Sequence, residues 1–288
     1  MDLLRALEFQ PAFLCIAVAL LGLCVGSFIN VVIHRLPKMM EAQWRAECAS
    51  LAGEEPAPAE PYNLVEPRSR CPSCAAPITA WQNIPVVSWL VLGGKCAACK
   101  APISARYPAV ELAAGGLAAL LAWRFGYSGA LAWALVFGWA LLALTVIDLD
   151  TQLLPDDITL PLLWAGLLAN TFGTFTDLRS AVLGAVGGYL LLWTVYWGFR
   201  LIAKKEGMGY GDFKLLGALG AWLGWQVLPF VVVVSAGAGA IIGGLLLWRS
   251  RRGLETRIPF GPYLALGGLA GLLWGRQAVI AWIGHFPA

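Results

Sequence analysis

Charged residues are scarce in this sequence. Asp, Glu, Lys and Arg make up 13% of its 288 residues, against about 25% in an ordinary soluble domain. Hydrophobic residues make up 59% of the chain, more than a soluble core of this length can bury. The composition therefore excludes an ordinary soluble protein. The formal net charge of +3 is also too small to indicate a nucleic-acid partner.

The sequence also predicts no cleaved secretory leader. Residues 1–10 have no basic start, and no small-residue cleavage site follows the first apolar run at residues 12–33. We expect this run to be a retained membrane anchor.

Long apolar runs fill most of the chain. A helix needs about 20 residues to cross about 30 Å of hydrocarbon, and lipid offers no partner to open strand edges. The sequence therefore predicts an all-α polytopic membrane protein with about eight transmembrane helices. The predicted spans are 12–33, 108–125, 130–147, 158–175, 180–202, 213–225, 227–247 and 261–283, of which the fourth and sixth are short or broken by Gly and Pro.

One long polar segment follows the first span. The predicted domains are the first helix (1–33), a polar loop domain (34–106) and a transmembrane domain of about seven helices (107–288). With the loop domain on the cytoplasmic side, sixteen of the twenty Lys and Arg residues face the cytoplasm, as the positive-inside rule requires. Both termini then lie on the opposite side of the membrane.

Four of the seven cysteines form two CxxC pairs in the loop domain. Cys71 and Cys74 are separated from Cys96 and Cys99 by 21 residues. A two-residue spacer presents two sulfurs to one ion, and four thiolates satisfy tetrahedral zinc. Disulfides or free thiols are the alternatives, but a reducing cytoplasm disfavours disulfides. The sequence therefore predicts a structural Zn²⁺ site that stabilises this loop domain.

Acidic residues in the apolar part of the chain are costly. Asp148 ends the third span and Asp212 precedes the sixth, and the orientation deduced from Lys and Arg brings both to the cytoplasmic edge. Two converging carboxyl groups share a proton and act together as general acid and base. Alternatively, Asp148 is a solvated helix end and Asp212 a helix cap. We expect Asp156 and Asp157 to cap the next helix, and Glu111 to make a structural hydrogen bond.

Six segments, in order along nearly the whole chain, resemble the signatures of type IV prepilin peptidases. They are residues 26–37, the two CxxC pairs, residues 106–111, residues 147–156, the GxGD-type stretch 206–214 and residues 259–263. The resemblance implies an aspartic endopeptidase of the bacterial inner membrane, with Asp148 and Asp212 as catalytic residues at the cytoplasmic face. The termini would then be periplasmic.

The same resemblance implies substrates and a second activity. Substrates would be type IV prepilins and type II pseudopilins, whose short basic leader is removed. Family members with the cysteine loop also methylate the new N-terminal residue from S-adenosylmethionine. Gly94, beside the second CxxC pair, is the candidate cofactor-binding residue for methyl transfer. The oligomeric state is not predicted.

Three other functions compete with this interpretation. A proton-coupled transporter would use the two aspartates as relay groups near the bilayer midplane. A non-enzymatic secretion scaffold would tolerate their loss. An intramembrane GxGD protease of the presenilin type would place them deeper in its spans and would lack the CxxC loop.

The loop domain also has an acidic stretch. Residues 41–66 hold six glutamates and one arginine. This stretch is either a flexible solvated loop or an acidic collar, centred on Glu54, Glu55 and Glu60, that attracts a basic leader.

Overall fold

The computed structural model describes residues 10–53, 61–204, 208–250 and 259–284, most of which are helical. Within these ranges, β structure is limited to two isolated bridges. The described residues also include a 3₁₀ turn (Ala80–Asn83) and a π-helical turn (Gly271–Gly275). The helices are α1 (Pro11–Leu51), α2 (Val87–Val91), α3 (Arg106–Phe125), α4 (Gly129–Thr151), α5 (Asp156–Thr171), α6 (Leu178–Ala203), α7 (Tyr210–Leu223), α8 (Leu228–Ser250), α9 (Gly261–Ala270) and α10 (Arg276–Ile283).

Six helical segments of the described chain are long and apolar enough to cross a membrane. They correspond to α1, α3, α4, α6, α8 and the continuous α9–α10 segment. Helices α5 and α7, with 16 and 14 residues, fall where the sequence predicts its two short spans. The predicted all-α polytopic fold is confirmed.

The chain divides into two compact units, residues 1–131 and 132–288. In the first unit, α1 and α3 pack closely at glycines. A Cβ on Gly22 would lie 2.7 Å from the Cβ of Ala118, and one on Gly26 would lie 2.7 Å from the Cα of Glu111. Small residues permit such close approach between membrane helices. The finer division at residues 33 and 106 stays a prediction.

Helix α1 continues well beyond the predicted end of the first span at residue 33. It contains Pro37 and ends at Leu51. Past the proline, pairs one turn apart stabilise it, such as Gln43, which donates to Glu47 over 2.9 Å. The expectation of a loop is therefore wrong for residues 41–51. Glu54, Glu55 and Glu60 of the acidic-collar hypothesis lie outside the described residues.

In the second unit, α7 is a short helix buried by its neighbours. Residues 212, 213 and 215–223 are all buried. Gly184 of α6 faces Gly220 of α7, and a Cβ on Gly188 would lie 2.5 Å from the carbonyl oxygen of Leu216. Because protein surrounds it, α7 does not need the length of a lipid-facing span.

Trp222 joins α7 to two other helices. Its indole Nε1 donates to the carbonyl oxygen of Leu162 in α5 over 2.7 Å, and its ring lies 4.9 Å from that of Phe137 in α4. Asn170 of α5 donates to the carbonyl oxygens of Ala221 and Trp222. These satisfied buried polar groups fix α7 against α5, and the ring contact with Phe137 packs α7 against α4.

Candidate catalytic and metal sites

The two cysteine pairs lie on turns of the same design. The amide of Cys71 donates to Ala76 over 2.9 Å, and that of Cys96 donates to Ala101 over 2.8 Å. The residue after each pair adopts a left-handed conformation, with φ of +57° and +60°. The 71–76 and 96–101 segments are therefore matching knuckles.

The four sulfurs converge on one point. The Sγ atoms of Cys71, Cys74, Cys96 and Cys99 all lie within 4.8 Å of one another, and Cys71 and Cys99 are 3.8 Å apart. Bonds of about 2.3 Å to a tetrahedral zinc ion would place two sulfurs about 3.8 Å apart. The amides of Ser73 and Cys74 lower the pKa of Cys71 to about 6, which favours the thiolate that binds metals. The cluster can hold a metal ion, and its donor set fits zinc.

Gly94 is explained by local packing. Its φ is +67°, and a Cβ there would lie 2.9 Å from the indole of Trp89. The indole Nε1 of Trp89 in turn donates to the carbonyl oxygen of Ile103 over 3.1 Å. A glycine is therefore needed for the turn and for the Trp89 ring, whether or not a methyl donor binds here.

Asp148 lies near the end of α4 and is buried, with 4% of its surface exposed. Its Oδ2 accepts a hydrogen bond from the amide of Gly261, the first residue of α9, over 2.9 Å. A Cβ on Gly261 would lie 2.6 Å from the same oxygen. The glycine therefore lets the α9 backbone approach the carboxyl group and orient it.

Asp212 lies in the first turn of α7 and is also buried, with 6% exposed. The amide of Gly209 donates to its Oδ2 over 3.2 Å. The sequence left open whether Asp212 caps its helix or serves a site, and its carboxyl group does close the first turn of α7. Because Asp212 is buried, it is not a cap of the ordinary solvated kind.

The two aspartates come together in the second unit. Their carboxyl groups are near enough for their charges to repel each other. Leu154, in the loop after α4, lies beside two glycines: Gly211, next to Asp212 in the sequence, and Gly261, whose amide binds Asp148. A Cβ on Gly211 would lie 2.8 Å from the Cβ of Leu154, and one on Gly261 would lie 3.0 Å from its Cδ2. The alternative of a solvated end for Asp148 is excluded by its burial.

Asp156 binds a lysine instead of capping a helix. Pro155 occupies the cap position of α5 without a side-chain bond, and Asp156 and Asp157 lie in the first turn. Both carboxylate oxygens of Asp156 accept from the Nζ of Lys214, at 2.8 and 2.6 Å. The capping prediction is therefore wrong for these residues. The ion pair instead links the start of α5 to a residue close to Asp212.

An aromatic cluster supports the other side of the first turn of α7. Tyr196 of α6 is buried and lies 5.4 Å from Tyr210 and 5.5 Å from Phe213, centroid to centroid. Arg200 donates to the Tyr196 hydroxyl over 3.3 Å. Tyr210 and Phe213 flank Asp212, so this cluster restricts the position of the turn that carries it.

Sequence reasoning missed most of these supporting residues. Gly261 fell within a recognised signature, but its bond to Asp148 had no sequence signal. Leu154 also lies within a recognised signature, residues 147–156, but nothing in the sequence marks its contacts, and Tyr196 is an aromatic residue within a long hydrophobic stretch. Glu206, part of the GxGD-type stretch, lies outside the described residues. Glu111 does accept a hydrogen bond, from the amide of Val86 over 2.8 Å, which confirms its predicted structural role.

Comparison with known proteins agrees with this arrangement. Residues 20–125 match the bacterial peptidase A24 N-terminal domain, and residues 135–244 match the type IV leader peptidase family. No solved structure matches the chain.

Proteins named prepilin leader peptidase/N-methyltransferase are similar over almost the whole chain. The one from Pseudomonas aeruginosa is 54% identical, with 96% of each chain covered. Those from Stutzerimonas stutzeri and Aeromonas hydrophila are 52% and 55% identical, with 96% and 92% of each chain covered. With its buried aspartate pair, its four-cysteine cluster and this degree of identity, the chain belongs to the type IV leader peptidase family.

Proposed function

We propose that this chain is a multi-pass inner-membrane aspartic endopeptidase. It removes the short basic leader of type IV prepilins and type II pseudopilins and then methylates the new N-terminal residue. The names of its relatives support both activities. The observation that carries the proposal is the meeting of two buried carboxyl groups, Asp148 and Asp212, each oriented by a backbone amide.

The two carboxyl groups perform the hydrolysis together. Like charges at close range do not both ionise cheaply, so the pair shares one proton. The ionised member takes a proton from a water molecule as it attacks the scissile carbonyl carbon. The protonated member donates to the carbonyl oxygen. The resulting gem-diol then collapses: the C–N bond breaks, and the amine leaves with the proton that was taken from water. The other carboxylate recovers its proton from a hydroxyl of the gem-diol, which becomes the new carboxylic acid. The amides of Gly261 and Gly209 each hold one oxygen of a carboxyl group, so that its orientation is set before substrate arrives.

The active site faces the cytoplasm, and both chain termini face the periplasm. The distribution of Lys and Arg supports this orientation. Asp148 lies at the carboxyl end of one helix and Asp212 at the amino end of another, as expected for two groups at one edge of the bilayer. A prepilin anchored by its own apolar helix would bring its leader to this edge, where water is present.

The four-cysteine cluster binds a structural zinc ion through Cys71, Cys74, Cys96 and Cys99. When bound, the ion holds the two knuckles together, since a segment of this size has little core of its own. All four ligand positions are filled by thiolates, so the ion has no open position for substrate.

Methyl transfer is proposed from the relatives' names alone. S-adenosylmethionine supplies the methyl group when bound, and Gly94 remains the candidate residue for its site. The turn and the Trp89 ring already require this glycine, so no transfer step is assigned to particular residues.

The competing functions predict different behaviour. A transporter or a scaffold built on this fold would not cut a prepilin, and a protease of the presenilin type would not need the cysteine loop. The similarity to named peptidases over the whole chain favours prepilin cleavage over all three.

The decisive experiment is cleavage of a purified prepilin by wild type, Asp148→Asn and Asp212→Asn, read by mass spectrometry. We expect each variant to lose at least about 10³-fold in rate, since it removes one member of an acid–base pair. Asp150→Asn, at an exposed position two residues from Asp148, is the matched control and should retain near-normal cleavage. Cleavage by either variant within tenfold of wild type would contradict the proposal. The same spectra report methylation of the product.

A further inference from the structure

The segment between the two knuckles presents an apolar surface to solvent. We call it the inter-knuckle patch: Trp81, Ile84, Val87, Leu90 and Val91. Each side chain is about half exposed or more, reaching 64% for Leu90 and 73% for Val91. Within α2, Leu90 and Val91 lie one turn from Val87, and Trp81 and Ile84 belong to the 3₁₀ turn just before it and to its end.

The patch is the exposed part of an ordered segment. A second side chain of the same segment faces the protein: Trp89 packs on Gly94 and donates to the carbonyl oxygen of Ile103. Trp89 therefore holds this segment against the second knuckle. Contiguous exposed apolar residues of this kind mark a contact surface.

The start of α2 is attached to a membrane-spanning helix. The amide of Val86, immediately before α2, donates to Oε2 of Glu111 over 2.8 Å. Glu111 lies five residues after the start of α3, about 8 Å along the helix. Tyr107 in the first turn of α3 is itself held by Asn30 of α1, whose Nδ2 donates to its carbonyl oxygen over 3.0 Å. The inter-knuckle patch therefore begins beside the N-terminal end of α3, where we expect the headgroup region of the bilayer.

The charges that flank the patch in the sequence match anionic lipid. No Asp or Glu occurs between Glu66 and Glu111, whereas five basic residues do: Arg68, Arg70, Lys95, Lys100 and Arg106. Basic groups beside an apolar surface attract anionic headgroups. The same charges repel a basic prepilin leader, which argues against the leader as the occupant.

We propose that the inter-knuckle patch inserts into the interface of the membrane that the chain spans, with anionic headgroups next to the surrounding basic residues. Leu90 and Val91 enter the acyl boundary, and Trp81 lies at headgroup level, as aromatic side chains with a polar group do. The loop domain is then held against the bilayer as well as joined to it through α1 and α3.

The test uses the full chain in nanodiscs, with a small fluorescent amino acid placed at position 91. The matched control carries the same probe at position 46, where exposed Ala46 lies about 20 Å along α1 beyond the predicted span end. Lipids with a nitroxide near the headgroup quench probes in the interface, and iodide quenches probes in water. The measurement needs no substrate, so it is independent of the proposed protease function.

We expect lipid quenching at position 91 to exceed that at position 46 at least threefold, with the reverse order for iodide. Equal quenching at the two positions would overturn the proposal. Quenching of position 91 that appears only after a prepilin is added would also overturn it, in favour of substrate docking. A second probe at position 90 repeats the measurement, and an unchanged unfolding temperature verifies that the labelled chains are folded.

The lipid class is tested with the same probes. Replacing anionic by zwitterionic lipid should weaken the quenching at position 91 at least twofold, as should Lys95→Gln combined with Lys100→Gln. If neither change has an effect, the assignment of anionic lipid is wrong.

Discussion

The cysteine cluster and the aspartate pair both bring polar groups to one point, but by different means. Each cysteine knuckle is complete within six residues, and the amides that act on Cys71 come from Ser73 and Cys74 in the same turn. The amide that holds Asp148 comes from Gly261, 113 positions later. Each cysteine pair is therefore positioned by its own turn, whereas the aspartate site depends on how α4, α7 and α9 pack.

The sharpest way to test this contrast is Gly261→Ala. The added Cβ would lie 2.6 Å from Oδ2 of Asp148, so the carboxyl group must move. A displacement of about 1 Å at a reacting group can reduce the rate about 100-fold, and we expect a loss of that size in prepilin cleavage. Gly237→Ala, where a Cβ meets nothing within 4 Å, should cleave normally. Equal rates for the two variants would show that the Gly261 contact is not needed.

The second prediction concerns the metal. Cys71→Ser combined with Cys74→Ser removes two of the four proposed ligands. Bound zinc, expected at about one ion per chain, should then fall to nearly none. Residues 61–105 should then become sensitive to protease. Cleavage should fall no more than about tenfold, because the aspartate site is built from residues after 131.

Elemental analysis, limited proteolysis and the prepilin assay measure these three effects. Cys48→Ser, at an exposed cysteine outside the knuckles, is the control and should retain its metal. Full zinc content in the double variant would contradict the proposed ligand set. Complete loss of cleavage in the double variant would mean that the aspartate site depends on the cysteine cluster, contrary to the prediction.

A smaller effect is expected from helix packing behind the aspartates. In Gly188→Ala the new Cβ would lie 2.5 Å from the carbonyl oxygen of Leu216 in α7. Overpacking of this kind costs about 1–3 kcal/mol, which thermal unfolding in detergent would record as a lower midpoint. The adjacent Gly187→Ala meets nothing within 4 Å and should be neutral or slightly stabilising. Equal unfolding midpoints for the two variants would show that α6 and α7 can move apart to admit a methyl group without loss of stability.

The smallest expected effect is that of Tyr196→Phe. It removes the hydroxyl that accepts from Arg200 but keeps the ring contacts with Tyr210 and Phe213. Cleavage should fall about twofold to threefold, since a net hydrogen bond contributes about 1 kcal/mol or less at such a position. Tyr196→Ala, which also removes the ring, should lose much more. If the two variants behave alike, the hydroxyl rather than the ring stabilises the turn.

The membrane-spanning helices, the cysteine cluster and the two buried aspartates could be predicted from the sequence. The positions of the helices followed from apolar runs, because every membrane-crossing backbone must satisfy its own hydrogen bonds. The four-cysteine cluster follows from spacing, because a CxxC turn leaves its two sulfurs few other arrangements. Asp148 and Asp212 were singled out because acids are costly beside lipid. These inferences depend on short stretches of chain or on the solvent alone.

Other features could not be read from the sequence, since they depend on contacts between distant residues. The α1 helix persists through Pro37 to Leu51, although composition suggested a loop. Asp156 has the sequence position of a cap, but Lys214, 58 residues later, binds it. A helix of 14 residues appears too short to cross a bilayer, yet α7 is stable because its neighbours bury it.

The sequence by itself determined the class of fold, the cysteine set and the identity of the two acids, because length, hydropathy and spacing act locally. Only the tertiary structure decided that the two carboxyl groups lie near each other, that Gly261 contacts Asp148 while Leu154 packs on Gly211 and Gly261, and that part of the inter-knuckle segment is left apolar and exposed. Those features arise from the packing of side chains far apart in sequence, and no local pattern encodes which of many glycines or leucines will be in contact.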